Sequence, residues 1–113
     1  MNWIQLTDLS LLDEIKIKSF QQAQVIFKHS TSCSISGMAK NRIERSNTYD
    51  EIDFYYLDLL KNRDISNAVA AEFQVPHESP QVIVIYNGEC VYSESHYAIN
   101  FEEIEQEVNK YKK

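Results

Sequence analysis

The sequence predicts an α/β protein, a mixed central β-sheet flanked by helices on both faces, with elements in the order β-α-β-α-β-α-β-β-α. Three observations predict it. Short runs of branched and aromatic residues alternate with segments whose apolar residues recur at helical spacing, the pattern of strands separated by amphipathic helices. Strand–helix–strand units of this kind imply parallel crossovers. Asn87-Gly88 stands between two strand-like runs, which signals a type I′ hairpin and adds antiparallel pairing.

The chain has 113 residues, the length of a single domain with one core, and 43% of them are hydrophobic. Only two Gly and two Pro exclude a low-complexity chain. With 17 acidic against 11 basic residues the net charge is −6, and Lys and Arg cluster only at Lys110, Lys112 and Lys113. A phosphate backbone needs a basic patch, so nucleic acid is not an expected partner. No basic, then apolar leader is visible at the N-terminus, and the longest apolar run, Val82–Tyr86, is too short to cross a bilayer. A cytoplasmic protein without a membrane partner is expected. Two cysteines in such a chain point to chemistry rather than to a structural disulfide.

In chain order, Trp3–Leu6 alternates apolar and polar residues as a short edge strand does. Leu9, Leu12, Ile15 and Phe20 predict a helix within about Leu9–Gln21, with Ser10 and Asp13 as its capping pair. Gln24–Lys28 is a strand. A helix opening at Cys33 and ending near Glu44–Arg45 carries the stripe Ile35, Ala39, Ile43. Asp53–Leu60 reads as a strand covered on both faces. Asp64 caps a helix with the stripe Ile65, Val69, Phe73. Pro80 marks the start of the buried strand Val82–Ile85, and Glu89–Ser95 returns antiparallel after the turn. The last helix begins at Asn100, with Glu103 completing a capping box and Phe101, Ile104, Val108, Tyr111 on one face.

The chemistry centres on Cys33. A cysteine on a loop after a strand, opening a helix, meets unpaired backbone N–H groups and the helix dipole, which lower a thiol's pKa from its free value of ~8.5. A small buried thiol is the alternative. The polar neighbours Ser30, Thr31, Ser32, Ser34 and Ser36 favour an exposed, reactive one.

Strand, Cys-x-x-Ser at a helix start, strand, helix, a Pro before a strand, an Asn-Gly-Glu hairpin and a final amphipathic helix resemble the thioredoxin-like fold over nearly the whole chain. More narrowly, Phe27-Lys28-His29-Ser30-Thr31-Ser32-Cys33-Ser34-Ile35-Ser36, together with His77-Glu78-Ser79-Pro80-Gln81, resembles the YtxJ family of monothiol bacilliredoxins. Relatives commonly carry proline after the cysteine, where this chain has Ser34. The resemblance implies a thiol-disulfide oxidoreductase that removes bacillithiol, a low-molecular-weight thiol, from protein mixed disulfides. Its partners would be S-bacillithiolated proteins, with bacillithiol as co-substrate and bacillithiol or another redoxin as reductant. No bound cofactor and no metal are implied. Cys33 would be the catalytic thiol, with Thr31, Ser32, Ser36, Ser79, Pro80 and His96 around the substrate. The family pattern makes the Ser79–Pro80 bond cis and places it beneath Cys33.

Ser36 stands where two-cysteine oxidoreductases carry the resolving thiol, and an alcohol cannot replace a thiolate at neutral pH. An adduct on Cys33 must then be cleared by an external thiol. Ser36 either donates to the Cys33 thiolate or bonds back to its own backbone. Cys90 follows the hairpin turn, roughly 15–20 Å from Pro80 at ~3.3 Å per residue, beyond the ~7 Å limit for a disulfide. His29, His77 and His96 all fall at the Cys33 end of the sheet, where any one could assist the thiol, though each also fits an ordinary loop histidine. Lys28, Lys40, Arg42 and Arg45 flank the cysteine helix, either as a field for the malate carboxylates of bacillithiol or as a solvated face. The residues leave two other readings: a general monothiol glutaredoxin-like protein, though Ser34-Ile35 departs from the Gly-Phe of those that carry iron–sulfur clusters, and a thioredoxin-like interaction module without turnover.

Overall fold

The computed structural model describes residues 3–32, 34–46 and 52–111, Ser46 by its backbone alone. The strands are β1 (Trp3–Gln5), β2 (Gln24–His29), β3 (Asp53–Asp58), β4 (Gln81–Tyr86) and β5 (Glu89–Ser95). The helices are α1 (Ser10–Lys18), α2 (Ser34–Ser46), α3 (Arg63–Glu72) and α4 (Phe101–Lys110), with a 3-10 turn at His96–Ala98. The order is the one the sequence implies. The five strands lie β1-β3-β2-β4-β5. β1 and β2 run parallel to β3, while β4 is antiparallel to β2 and to β5.

Alternation along the central strands divides the core in two. Val25, Phe27, Phe54, Val82 and Val84 face Ala39 and Ile43 of α2 and Phe101, Ile104 and Val108 of α4. Ile26, Tyr55, Leu57, Ile83 and Ile85 face Leu12 and Ile15 of α1 and Ile65, Val69 and Phe73 of α3. The α3 stripe and Phe101, Ile104 and Val108 of α4 are therefore buried as their spacing requires, while Tyr111 lies past the helix and is only partly buried.

Asn87 and Gly88 both have positive φ, 54° and 75°, as a type I′ turn demands. Ser19 fastens that turn to the end of α1: its carbonyl accepts the Asn87 N–H and its hydroxyl oxygen the Gly88 N–H, each at 2.9 Å. A Cβ on Gly88 would meet the Phe20 ring at 3.2 Å. On β5 the ladder pairs Val84 with Tyr92 but Ile85 with Cys90, so Val91 is the extra residue of a bulge.

Five local expectations are corrected. Leu9 and Phe20 are about half exposed, because α1 stops at Lys18 and Phe20 lies five residues past Ile15, roughly 140° off its stripe at 3.6 residues per turn. Asp8, not the Ser10–Asp13 pair, caps α1: its Oδ1 accepts from the Ser10 N–H at 2.9 Å and the Ser10 hydroxyl at 3.0 Å. β3 ends at Asp58, whose carbonyl and carboxylate turn the chain by accepting from Asn62 and Leu60, and Asn62, not Asp64, occupies the N-cap of α3. Asn100 caps α4 by accepting from the Glu102 and Glu103 N–H groups, but the Glu103 carboxylate accepts from the Tyr92 hydroxyl instead of closing a capping box. Lys112 and Lys113 lie outside the described residues.

Candidate functional site

β2 leaves the core with two successive polar residues, Lys28 and His29, and alternation sends them to opposite faces. Both are buried, Lys28 completely and His29 to 6% exposure.

His29 turns toward α2. Its ring lies 5.7 Å from Phe27 and 5.4 Å from Tyr56, and its Nδ1 is 2.6 Å from the Ser36 hydroxyl. Ser36 Oγ also accepts the Ser30 N–H at 3.0 Å. Burial, and next the charge of Lys40, push the imidazole below its usual pKa, so it is neutral at pH 7. Ser36 is thus bound to His29, a pairing that ties the first turn of α2 to the end of β2. The loop between them is short, with Ser30 buried and its hydroxyl 3.1 Å from that of Ser32, while Thr31, Ser32 and Ser34 are exposed. Of the five polar neighbours that favour an exposed Cys33, Ser30 and Ser36 are themselves buried. Cys33 itself lies outside the described residues. α2 begins at the next residue and has no acid in its first turn to offset its N-terminal amides.

Lys28 turns toward α3. Its ammonium sits 3.4 Å from the Ser66 carbonyl and 3.3 Å from His77 Nδ1, and desolvation pushes its pKa down to about 8. Lys28 is thus no part of a solvated face. Among the other cations, Lys40 pairs with Glu44 at 2.9 Å, and Arg42 donates to the Tyr97 and Ile99 carbonyls.

The segment 76–80 runs into β4 beside these groups, since Lys28 pairs with Gln81 across the sheet. The Ser79–Pro80 bond is cis, and Pro80 is buried. Gln81 pins the segment from beneath: its Nε2 donates to the Pro76 carbonyl at 3.1 Å and its Oε1 accepts the Glu78 N–H at 3.4 Å. The Glu78 carboxylate accepts from the Ser95 hydroxyl. Ser79 Oγ is buried without a hydrogen-bond partner among the described residues. At the end of β5, His96 has φ of 58° and donates its N–H to the Pro80 carbonyl at 3.0 Å.

One end of the sheet therefore gathers Thr31, Ser32, Ser36, Ser79, Pro80 and His96, with His29 and His77 close by. Cys90 stands at the other end, opposite Ile85, half-buried, with burial raising its thiol pKa. Sequence reasoning missed Ser66 and the part Gln81 plays, and it placed Lys28 among the flanking cations rather than in the core. A lysine two positions after Ile26, on the same core-facing side of an apolar strand, was the available signal.

A sheet of this order, with a cysteine immediately before α2 and a cis proline immediately before β4, defines a thioredoxin-fold protein of thiol redox chemistry. Within that class the chain belongs to the family of monothiol bacilliredoxins, BrxC, which it matches over residues 4–104. Among solved structures it is similar to a presumed oxidoreductase with a thioredoxin fold, at 30% identity and a TM-score of 0.79, covering 91% of this chain and 90% of that one. It shares its fold with the thioredoxin of Fasciola hepatica, at 17% identity and a TM-score of 0.72, covering 96% and 99%. The thioredoxin of Nicotiana alata gives 21% identity and a TM-score of 0.71, covering 97% and 92%. Among the described residues no helix is long and apolar enough to cross a membrane.

Proposed function

We propose that this protein is a monothiol oxidoreductase that removes bacillithiol from mixed disulfides on proteins, through Cys33. The observation that carries the reading is the match to monothiol bacilliredoxins over residues 4–104. The Cys33 thiolate attacks the bacillithiol sulfur of the mixed disulfide. A Cys33–bacillithiol disulfide forms, and the target leaves as a thiolate that takes up a proton. A second bacillithiol, as thiolate, then attacks the bacillithiol sulfur of that adduct, which releases Cys33 and yields bacillithiol disulfide. Another redoxin can supply the second thiol. The external thiol is needed because Ser36 fills the resolving position with a hydroxyl bonded to His29, and Cys90 is four β4 residues away from the Gln81 end. The unpartnered Ser79 hydroxyl, next to the cis proline, supports a substrate contact on this segment. The cytoplasm, where bacillithiol is kept reduced, is the matching compartment.

The test uses a bacillithiolated protein with and without added bacillithiol, read by intact mass. The wild type should take up one bacillithiol on Cys33 and stop, then turn over when the thiol is supplied. Cys33→Ser should lose transfer altogether. Multiple turnover by Cys33→Ser, or dependence on Cys90, would overturn the reading, and absence of any Cys33 adduct would favour an interaction module.

A further inference from the structure

Lys28 is unusual in what surrounds it. It is a fully buried ammonium, and its hydrogen-bond partners are a carbonyl and an imidazole nitrogen rather than a carboxylate. Burying such a group costs stability that a methionine in its place would not. The three hydrogens of an ammonium are all donors. His77 Nδ1, at 3.3 Å, must therefore offer its lone pair, and the Ser66 hydroxyl at 3.4 Å can donate to the same nitrogen. The ring is then left with its proton on Nε2. His77 is exposed, so that N–H is available at the surface, two residues before the unpartnered hydroxyl of Ser79. The charged groups facing His77 are Lys28 from β2, Arg63 from α3 and Glu78 from its own segment. The Glu78 carboxylate is engaged by Ser95. The surroundings are thus cationic on balance.

We infer that Lys28 is a positioning residue of the site: it fixes His77 as the Nε2–H tautomer, so that the 76–80 segment offers an N–H donor to an anionic oxygen on the disulfide substrate. The inference rests on Cys33 as the reacting thiol, as in the function proposed above, but not on bacillithiol as the substrate. It gives the buried lysine a role in specificity that acts through the histidine and never touches the ligand.

The tautomer is read by long-range ¹H–¹⁵N correlation on ¹⁵N-histidine-labelled protein. Wild type should show a protonated Nε2 and a bare Nδ1 at His77, and Lys28→Met should shift the ring toward the Nδ1–H form. An Nδ1–H ring in the wild type, or the same tautomer in both proteins, overturns the inference whether or not Cys33 turns over. The kinetic readout uses two small disulfides on the reduced protein: 5,5′-dithiobis(2-nitrobenzoate), which carries carboxylates, and uncharged 2,2′-dithiodipyridine. Lys28→Met and His77→Ala should each slow the carboxylated reagent about tenfold, the factor a charge-assisted hydrogen bond carries, while the uncharged reagent keeps close to its wild-type rate. The double variant should be no slower than either single one, and His77→Gln, which keeps an N–H donor, should recover part of the loss. Equal slowing of both reagents, or additive effects in the double variant, would show a structural role and overturn the inference. Failure of bacillithiol transfer alone would instead overturn the substrate assigned above.

Discussion

The two sides of the sheet at the end of β2 solve the same problem differently. On the α2 side His29, Ser36 and the Ser30 N–H form a closed set, in which each buried donor finds an acceptor and every group is neutral. On the α3 side the neighbouring Lys28 is buried as a cation against a carbonyl and the ring of His77, and its pKa falls to about 8 in consequence. The first arrangement stabilises the end of the strand. The second costs stability, beside the segment that leads into β4. Adjacent residues of one strand thus differ in what their burial does, one stabilising and one costly, on opposite faces.

Breaking the closed set should have the largest effect. Ser36→Val leaves His29 Nδ1 and the Ser30 N–H without their partner, and should cost about 2–4 kcal/mol in a denaturant titration. Replacing Ser36 by cysteine is the informative companion, because it restores Cys-x-x-Cys spacing and should permit an internal disulfide detectable by mass after oxidation.

Lys28→Met should act in the opposite direction. The folded-state pKa of Lys28, about 8, lies below the 10.5 of an unperturbed lysine. Below pH 8 the lysine is charged in both states and the whole desolvation cost is present. Between these two values the unfolded chain holds the extra proton, so wild-type stability rises with pH relative to the variant. The variant should be more stable by about 1–3 kcal/mol at pH 7, and the advantage should disappear by about pH 10. A stability loss at neutral pH would mean that the hydrogen bonds of Lys28 outweigh its burial.

A smaller effect distinguishes the histidine. Burial holds the folded-state pKa of His29 below 6.5, so the unfolded chain binds the additional proton as pH falls through 6.5, and stability should decline from there downward. His29→Asn should flatten that limb of the stability profile. Smallest of all is Cys90→Ser, which should leave mixed-disulfide transfer unchanged. Its thiol, with a pKa raised by burial, should be alkylated slowly at pH 7.

Much of this molecule was legible in the sequence because the signals were local. Asn87-Gly88 fixes its hairpin through two positive φ angles, and Asn100 caps its helix through neighbouring amides. The spacing of Ile65, Val69 and Phe73 specified a face without reference to any other element. The family resemblance rested on the residues around Cys33 and Pro80, and the match to monothiol bacilliredoxins bears it out. What escaped depended on which elements meet. Ser36 finds His29 only because α2 folds back on β2, and Lys28 meets Ser66 and His77 from segments 38 and 49 residues away. Phe20 looked apolar enough for the core, but Ser19 took the inward place beside it to hold the hairpin turn.

The bulge in β5 determines where this hairpin can change length. Val91 has no partner across the ladder, and it shares with Tyr92 the side that packs toward α2 and α4, while Cys90 packs toward α1 and α3. Deleting Val91 would join two residues that already sit opposite Ile85 and Val84, so both halves of β5 would keep their reading frame. Deleting Ser93 instead would put one half out of phase and carry either Cys90 or Ser95 to the opposite layer. A one-residue loss in this strand is therefore tolerable at Val91, where the chain already carries one residue more than its partner strand can pair.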